Sequence, residues 1–323
     1  MRYLKWNYNR LKELVDLWNR ELGASFPMRK ELFEQNSFQD TNICHQCSQM
    51  VVDPDRNEVI GFVIVKKWQD AIDVGIGKKT GWIQAMLVDQ KYRNRGIGTT
   101  LLEHAEASLI ESGVNRILLG KDTSHYFPGI PSEFTYAAKW FEKRGYVKSG
   151  EEYDLDCFYE IDRQVVIPAK EGVEVSLLDR NEKQLFITFL NRSFPGRWEY
   201  EAIKYFEHGG DGREFVILKK KGRIIGFCRI NDSYSPVIAQ NTYWAPLYEE
   251  AVGGIGPLGI DANERQYGYG LFIVQAAVAY LRKRNIQRII IDWTGLVSFY
   301  NKLGYQVCKR YDSYQKHVEC KGE

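Results

Sequence analysis

Two short segments, residues 93–98 and 265–270, have the residue types and spacing to bind a phosphate group. Both read Arg-x-x-Gly-x-Gly, and each lies between a strand-like run (83–88 or 257–260) and a helix-like run. A helix N-terminus presents unpaired amides and the positive end of the helix dipole, and glycines let a phosphate approach the backbone. The dipole alone stabilises an exposed anion by about 0.3–1 kcal/mol. We therefore predict a pyrophosphate-binding loop in each segment.

The spacing excludes two other phosphate-binding classes. A dinucleotide-binding loop reads Gly-x-Gly-x-x-Gly, and its first glycine is replaced here by arginine. A Walker A loop ends in Gly-Lys-Ser/Thr, which neither segment contains. Kinase and dehydrogenase functions are therefore not indicated. Two copies at matched positions also argue against the simpler interpretation that these glycines only form tight turns.

The two loops belong to an internal repeat. Arg-Ile-Leu-Leu at 116–119 recurs as Arg-Ile-Ile-Ile at 288–291, with the same offset of 172 residues that separates the loops. Downstream, the aromatic segment 140–146 recurs at 299–305 with a shorter offset. A drifting offset with conserved order indicates two copies of one domain with different loop lengths. The change in offset places about thirteen extra residues in the first copy, within 123–136.

The length of 323 residues also favours two domains. Pro168 interrupts a strand-like run that ends at 161, and a new run begins at 173, so the seam is predicted between Asp162 and Gly172. We predict an N-terminal domain over 1–165 and a C-terminal domain over 166–323.

Each copy is predicted to contain a first helix (11–22 or 182–191), then strands, the glycine loop, a helix, a strand, a helix and a strand. This alternation indicates a mixed α/β fold. The helix after the second loop, 270–282, is apolar nearly all round and should be buried on more than one face.

Composition excludes several function classes. Forty-four Lys and Arg oppose forty-two Asp and Glu, and a net charge of +2 is far from that of a nucleic-acid-binding surface. No run approaches the roughly 20 apolar residues of a membrane span and no signal peptide is evident, so a cytoplasmic location is expected. Cys44 and Cys47 form a Cys-x-x-Cys pair without the second pair that a structural zinc site needs. We predict no metal and a structural role for the pair, with redox or metal binding as the alternative.

The motifs resemble those of the Gcn5-related N-acetyltransferase (GNAT) family. Its acetyl-CoA signature, Arg/Gln-x-x-Gly-x-Gly/Ala at a strand-to-helix turn, is matched in both copies. Its later motif, an aromatic pair followed by Lys-Leu-Gly-Tyr/Phe, is matched at 299–305 and more loosely at 140–146. The resemblance covers nearly the whole chain as a tandem pair. It implies that each copy is a mixed β-sheet flanked by helices and splayed between its fourth and fifth strands, with coenzyme A in the opening.

The resemblance also implies which residues would hold acetyl-CoA. In the first copy they are Met86, Val88, Arg93, Arg95, Gly96, Ile97, Gly98 and Thr99. In the second copy they are Leu258, Ile260, Arg265, Gln266, Tyr267, Gly268, Tyr269 and Gly270.

Acetyl transfer to an amine needs a base for the ammonium proton and an acid for the departing thiolate, each worth about 10² to 10⁴ in rate. In the family the acid is usually the tyrosine of the aromatic pair, which is Tyr300 in the second copy and Phe141 in the first. The repeat alignment places Asp292 opposite Gly120. We therefore predict that the C-terminal domain is catalytic, with Asp292 as amine ligand or base and Tyr300 as acid, and that the N-terminal domain is non-catalytic or binds CoA.

Simpler roles remain open for both residues, since Tyr300 could be a core aromatic residue and Asp292 could cap the turn at Thr294 and Gly295. Glu199 and Glu201 are reserve candidates for the base. His125 and His208 are weaker ones.

The acceptor is predicted from aromatic residues of the second half. Trp198, Trp244 and Trp293, with Glu199, are expected to line the acceptor site, because flat rings suit a sugar better than a polyamine. These tryptophans could equally be packing residues. The segment 291–300 also resembles acetyltransferase modules of bacterial cell-wall amino-sugar recycling, including tandem glucosamine and glucosaminide N-acetyltransferases. An amino sugar such as glucosamine is therefore the first choice.

Aminoglycosides, mycothiol-like amino glycosides and amino-acid or peptide amines are the alternative acceptors. A non-catalytic CoA- or amino-sugar-binding module is a further alternative, as is a peptidoglycan aminoacyl-tRNA ligase. Retention of both Asp292 and Tyr300 argues against the first, and the lack of a long basic block argues against the second. No nucleic-acid or membrane partner is expected, and a monomer is compatible with the tandem organisation.

Overall fold

The computed structural model describes residues 1–161 and 164–319, which form two compact units. Unit 1 comprises Met1–Ala71, Gly77–Glu152 and Arg310–Glu323, and unit 2 comprises Ile72–Ile76 and Tyr153–Lys309. Each unit thus includes a strand from the far end of the other repeat. The seam expected from Asp162 to Gly172 begins outside the described residues, and the division at 165 remains a prediction about the sequence repeat.

The first repeat alternates strands and helices as predicted, except that a strand precedes the first helix and a second helix follows it. Its elements are β1 (Arg2–Lys5), α1 (Leu11–Leu22), α2 (Lys30–Ser37), β2 (Gln49–Asp53), β3 (Glu58–Lys67), β4 (Thr80–Val88), α3 (Ile97–Glu111), β5 (Arg116–Leu119), β6 (Ile130–Pro131), α4 (Thr135–Glu142) and β7 (Val147–Phe158). Helix α1 has the predicted bounds because Leu14, Leu17 and Trp18 form one buried face.

The second repeat follows the same order. Its elements are β8 (Glu174–Leu177), α5 (Lys183–Ser193), α6 (Arg197–Glu207), β9 (Phe215–Lys220), β10 (Arg223–Asn231), β11 (Val252–Ile260), α7 (Tyr269–Lys283), β12 (Arg288–Thr294), α8 (Val297–Tyr300) and β13 (Gln306–His317). Helix α7 buries residues on several faces, including Phe272, Ile273, Val274 and Ala276, as its continuous apolar character predicts.

The two units have the same strand order. In unit 1 the order is β1-β2-β3-β4-β5-β13, and in unit 2 it is β8-β9-β10-β11-β12-β7. The β4–β5 and β11–β12 pairs are parallel, and the other neighbours within each unit are antiparallel. The mixed α/β fold predicted from the repeat is confirmed.

Both central strands are bulged where the parallel pairing stops. The β4–β5 register runs from Thr80 to Ile83, and the β3–β4 register shifts around Gln84. The β11–β12 register runs from Val252 to Ile255, and the β10–β11 register shifts around Gly256 and Pro257. Because β4 and β11 continue past this point while the pairing ends, each sheet opens between its fourth and fifth strands.

The core of unit 1 includes Ile83, Leu101 and Ile117, with Tyr314 of β13. Within it, Cys44 and Cys47 form a disulfide, and the Cys44 amide donates to the Val65 carbonyl. Both cysteines are buried as part of this core.

No helix in residues 1–161 and 164–319 is long and apolar enough to cross a membrane. Within the same residues, no cluster of three or more His, Cys, Asp or Glu side chains is arranged to hold a metal ion.

Candidate active site

The glycine loops stand at the N-termini of two 15-residue helices. Gly96 precedes α3 with φ of +81°, and Gly268 precedes α7 with φ of +70°, which is the left-handed region that favours glycine. A Cβ on Gly96 would meet nothing within 4 Å, and one on Gly268 would meet only the Lys170 Nζ at 3.9 Å. The backbone at both glycines is therefore uncrowded, which suits the approach of an anion to the N-terminus of each helix.

The arginine of each motif shapes its loop in the same way. Arg93 Nε donates to the Val88 carbonyl at 2.9 Å, and Arg265 Nε donates to the Ile260 carbonyl at 3.2 Å. Each guanidinium thus ties the loop to the last residue of the preceding strand. Arg93 also forms an ion pair with Glu21.

Two lysine side chains from other parts of the chain contact the glycine loop of unit 2. Lys170 Nζ donates to the Tyr267 carbonyl at 2.8 Å and lies 5.1 Å from the ring centre of Tyr269. Lys220 Nζ lies 4.7 Å from the ring centre of Tyr267 and pairs with Glu264. The loop therefore combines helix amides with positive charge, which is the electrostatic requirement of a pyrophosphate site.

The loop of unit 1 borders a cavity of about 770 Å³ that extends along β4. Of the eight residues predicted to hold acetyl-CoA in this copy, seven line it: Met86, Val88, Arg93, Gly96, Ile97, Gly98 and Thr99. Arg95 instead lies over the ring of Tyr92, at 5.3 Å. The Thr99 hydroxyl is already engaged, because it accepts a hydrogen bond from Arg144.

In unit 2, Asp292 lies on β12 just past the end of the parallel pairing. Its Oδ1 is 3.6 Å from the position that a Cβ on Gly256 would take, so it faces the bulge of β11. Burial and the negative charges of Asp154 and Glu201 raise the pKa of Asp292 to about 7, against the opposing effects of Arg197 and a hydrogen bond from Asn241. A carboxyl with this pKa can take up and release a proton near neutrality.

Tyr300, at the end of α8, is 5% exposed. Burial raises the pKa of its hydroxyl well above the usual value, and the charges of Cys228 and Asp292 act in the same direction. The phenol therefore keeps its proton at neutral pH and lies within electrostatic reach of Asp292. The turn that Asp292 could have capped is held by Thr294, whose Oγ1 accepts from the Leu296 amide at 3.0 Å.

In unit 1, the position equivalent to Asp292 is occupied by other residues of the chain. A Cβ on Gly120, the counterpart of Asp292, would lie 2.1 Å from the Phe127 carbonyl oxygen. Phe127 belongs to the extra segment 123–136 and stacks on Trp18 at 5.7 Å. Residue 120 therefore has no room for a side chain, and Phe141, the counterpart of Tyr300, has no hydroxyl.

The predicted acceptor-site residues are only partly brought together. Trp293 adjoins Asp292, and the Arg197 guanidinium lies 4.4 Å from its ring centre. Trp198 packs on Phe194 at 5.2 Å, within the core of unit 2. Trp244 is 6% exposed and contacts Tyr243 edge-on at 6.0 Å. The geometry thus gives Trp198 and Trp244 packing contacts, and their role toward an acceptor remains a prediction.

Glu199 is 4% exposed on α6. Its Oε1 accepts from Asn191 Nδ2 at 2.9 Å, and its buried Oε2 has no hydrogen-bond partner among the described residues. Glu201, the other reserve candidate, pairs with Arg197 at 2.6 Å and acts electrostatically on Asp292. Of the two glutamates, the structure places Glu201 toward Asp292.

Sequence reasoning missed three residues beside Asp292, namely Asp154, Arg197 and Asn241. Asp154 lies on β7, which the repeat assigns to the other copy. Arg197 was discoverable as the partner of Glu201 at helical spacing, whereas Asn241 lies in an irregular segment that carries no periodic signal.

Comparison with known proteins agrees with this architecture. The family model described as "Acetyltransferase (GNAT) family" matches residues 11–127 and 184–305, one match in each repeat and well over half of the chain. The chain therefore belongs to the GNAT acetyltransferase family, a class of transferases that generally use acetyl-CoA. It is 22% identical over 248 residues to a mycothiol acetyltransferase of Thermobispora bispora, covering 68% of this chain and 71% of that protein.

Solved structures with tandem GNAT folds resemble the whole chain. A GCN5-related glucosamine N-acetyltransferase region of a fungal multi-domain GH3 β-N-acetylglucosaminidase superposes with a TM-score of 0.84 at 23% identity over 97% of this chain. The chain spans only 38% of the length of that structure. A tandem GNAT protein of the clavulanic acid biosynthesis pathway gives a TM-score of 0.69 at 13% identity, covering 98% of both chains. A GCN5-related N-acetyltransferase from Sphaerobacter thermophilus gives 0.70 at 16% identity, covering 98% of this chain and 95% of that one.

Proposed function

We propose that unit 2 transfers an acetyl group from acetyl-CoA to the primary amine of a small molecule, with an amino sugar such as glucosamine as the acceptor. The observation that supports this proposal is that Asp292 lies just past the end of the β11–β12 pairing and that its charge acts on the Tyr300 hydroxyl. One is a carboxyl that titrates near neutrality and the other a phenol that holds its proton. Together they meet the acid and base requirements of acyl transfer to an amine.

Acetyl-CoA would supply the acetyl group as a thioester. In unit 2 we assign its phosphates to the amides after Gly268 and to Lys170, and its extended arm to the edge of β11 at Leu258 and Ile260 that β12 leaves unpaired. These assignments agree with the free space before α7 and with the end of the β11–β12 pairing at Ile255.

Asp292 receives the ammonium proton of the acceptor and frees its lone pair for attack. Asp292, Asp154 and Glu201 together carry more negative charge than Arg197 offsets, so the surroundings attract a cationic amine. Tyr300 donates its hydroxyl proton to the departing sulfur. Its low exposure keeps that proton from exchanging freely with bulk water.

The acceptor assignment is supported by Trp293, which adjoins the carboxylate and offers a partly exposed indole to a sugar ring. The name of the fungal region states that it is a glucosamine N-acetyltransferase, and this supports an amino-sugar acceptor here. An amino sugar therefore stays the first choice, ahead of aminoglycosides and peptide amines.

We assign unit 1 a CoA-binding role without transfer. Its glycine loop and cavity are suited to the cofactor, whereas Gly120 is covered by Phe127 and the acid position holds Phe141. This arrangement provides a cofactor groove without an acceptor site.

Thiol release from acetyl-CoA, measured over a panel of amines with glucosamine first, tests the proposal. We expect acceptor-dependent release by the wild type, no loss in Gly96→Val, and loss in Tyr300→Phe. If acetyl-CoA and glucosamine bind in calorimetry but no amine gives thiol release, the chain is a binding module and the proposal fails.

A further inference from the structure

A β-bulge sets the direction of the Asp292 side chain. Along the β12–β7 pair, Ile291 is opposite Leu155, and the next matched pair is Thr294 with Tyr153. Two residues of β12, Asp292 and Trp293, therefore face a single residue of β7, which is Asp154. Bulges of this kind redirect a side chain and occur often at active sites.

Asp154 holds the bulge closed. Its Oδ1 accepts a hydrogen bond from the Trp293 amide at 3.0 Å, and the residue is 6% exposed. Trp293 has φ of +44°, in the left-handed region that a tryptophan rarely adopts. The conformation must be stabilised by its surroundings, and the carboxylate of Asp154 provides a charge-assisted bond for this purpose.

The same carboxylate lies beside Asp292. The groups that act on Asp292 among the described residues are Asp154 from β7, Glu201 and Arg197 from α6, Asn241 from the segment before β11, and Tyr300 from α8. Of the charged neighbours, Asp154 has the largest effect on Asp292. Asp154 thus both holds the backbone of the bulge and is the negative charge that acts most strongly on Asp292.

We propose that Asp154 is a positioning residue for the transfer reaction: it fixes the bulge that sets the direction of the Asp292 side chain, and it places a negative charge beside that carboxyl. The inference rests on the proposed function of unit 2 and extends it to a residue of the first sequence repeat. The acceptor site of unit 2 accordingly depends on a residue from the first sequence repeat.

The decisive variant is Asp154→Asn, because the amide oxygen can still accept from the Trp293 amide while the charge is removed. We expect the acid limb of the kcat/KM profile, measured with glucosamine, to move down by about one pH unit, since the loss of a neighbouring negative charge lowers the pKa of Asp292. The KM for the amine should rise several-fold. Asp154→Ala, which also removes the clamp, should in addition reduce kcat.

Asp156→Asn is the matched control. Asp156 is the next carboxylate on the same face of β7 and pairs with Arg288 at 2.7 Å. Its removal should leave the pH profile and the KM for glucosamine unchanged. An unshifted profile and unchanged KM in Asp154→Asn, with Asp292→Asn inactive, would overturn the role of Asp154 while leaving the proposed function intact.

A measurement that does not depend on turnover distinguishes failure of the proposed function from failure of the role of Asp154. Melting temperatures are measured from pH 4 to pH 9 for the wild type, Asp154→Asn, Asp292→Asn and the double variant. The pH at which a protein with Asp292 begins to melt below its Asp292→Asn counterpart reports the pKa of Asp292. In the Asp154→Asn background, we expect this pH to be lower by about one unit than in the wild-type background. If no amine is acetylated but this shift occurs, the proposed function fails and the electrostatic coupling stands. If the shift is absent, the inference fails whatever the activity.

Discussion

The ring of Phe299 lies against Gly270, with 3.7 Å between its Cζ and the position of a Cβ on that glycine. Trp140 has the same relationship to Gly98, at 3.6 Å. In each unit the first residue of the aromatic pair therefore packs on the second glycine of the loop, which fixes where the next residue lies. That residue is Tyr300 in unit 2 and Phe141 in unit 1, so the units differ by one hydroxyl at an equivalent position.

Tyr300→Phe removes this hydroxyl and keeps the ring. We expect kcat for acetyl transfer to fall by about 10² to 10⁴, as for loss of a general acid, with little change in acetyl-CoA affinity. The assay is thiol release, with calorimetry for binding. Tyr280→Phe is the control, because Tyr280 packs against the same core on α7 and should tolerate the change. Wild-type turnover by Tyr300→Phe would mean that the thiolate takes its proton from elsewhere.

Asp292→Asn removes the base and keeps its shape. The variant should lose most of its turnover and show a raised KM for the amine, because the carboxylate also attracts the ammonium group. In the wild type, activity should rise with pH through about 7, where Asp292 loses its proton. The variant should lack this limb, and a preserved limb would assign the base elsewhere, with Glu201 as the first alternative.

The raised pKa of Asp292 also predicts a pH-dependent stability. The folded protein holds this proton up to about pH 7, whereas the unfolded chain releases it near pH 4, so rising pH destabilises the fold between these values. Asp292→Asn should abolish this loss and melt at a higher temperature than the wild type at pH 8, but not at pH 4. Thermal denaturation at both pH values checks this, and equal differences at the two would contradict it.

Gly268→Val tests the second loop. The substitution is strained at φ of +70° and fills the space before α7, so acetyl-CoA affinity and turnover should both fall. Gly222→Val controls for the strain, because Gly222 has φ of +75° in the β9–β10 turn and a Cβ there would meet nothing within 4 Å. Gly96→Val should remove binding at unit 1 alone. Loss of turnover in Gly96→Val, with Gly268→Val active, would reverse the assignment of the units.

Unit 1 contains a buried charge cluster whose disruption should be costly. Lys66 Nζ bonds Asp40 at 2.8 Å and Asp122 at 2.7 Å, and the Lys66 side chain has 0% exposure. Although burial alone would lower the pKa of Lys66, the two carboxylates raise it, so the cation persists. Lys66→Met should destabilise the protein by about 3–5 kcal/mol, because it leaves two buried carboxylates unpaired.

Urea denaturation measures this cost. Lys148→Met, which removes a partly exposed pair with Glu151 and Asp312, is the control and should lose about 1 kcal/mol or less. A loss in Lys66→Met no greater than in this control would show that the cluster is not important for stability.

Much of the fold could be predicted from the repeat. Helix α1 was placed by the period of its one apolar face, and α7 by its continuous apolar character. The glycine loops lie at strand-to-helix turns because left-handed residues precede both helices. The exchange of β7 and β13 between the units could not be predicted. The two strands occupy equivalent places in the repeat, so the residue pattern does not tell which of them pairs with β5 and which with β12.

The candidate site was less accessible to sequence reasoning. Asp292 and Tyr300 were identified by aligning the copies and comparing residue types. Asp154 was not, because its role depends on a bulge in the opposing strand, and a one-residue change of register has no sequence signature. The position of the extra segment was predicted from the change in offset. That its Phe127 would pack against Gly120 was not predictable from the sequence.

The exchanged strand has a consequence for how the protein is made. The edge of β5 is covered by Gln315, Lys316 and His317 of β13, nearly 200 residues further along the chain. During synthesis, one edge of β5 pairs with β4, and the other edge lacks its β13 partner until the second repeat has been translated. A ribosome stalled between the two repeats would hold a nascent chain with an open β-edge, the kind of surface that chaperones protect from aggregation. Completion of the first unit's sheet therefore depends on synthesis of the second repeat.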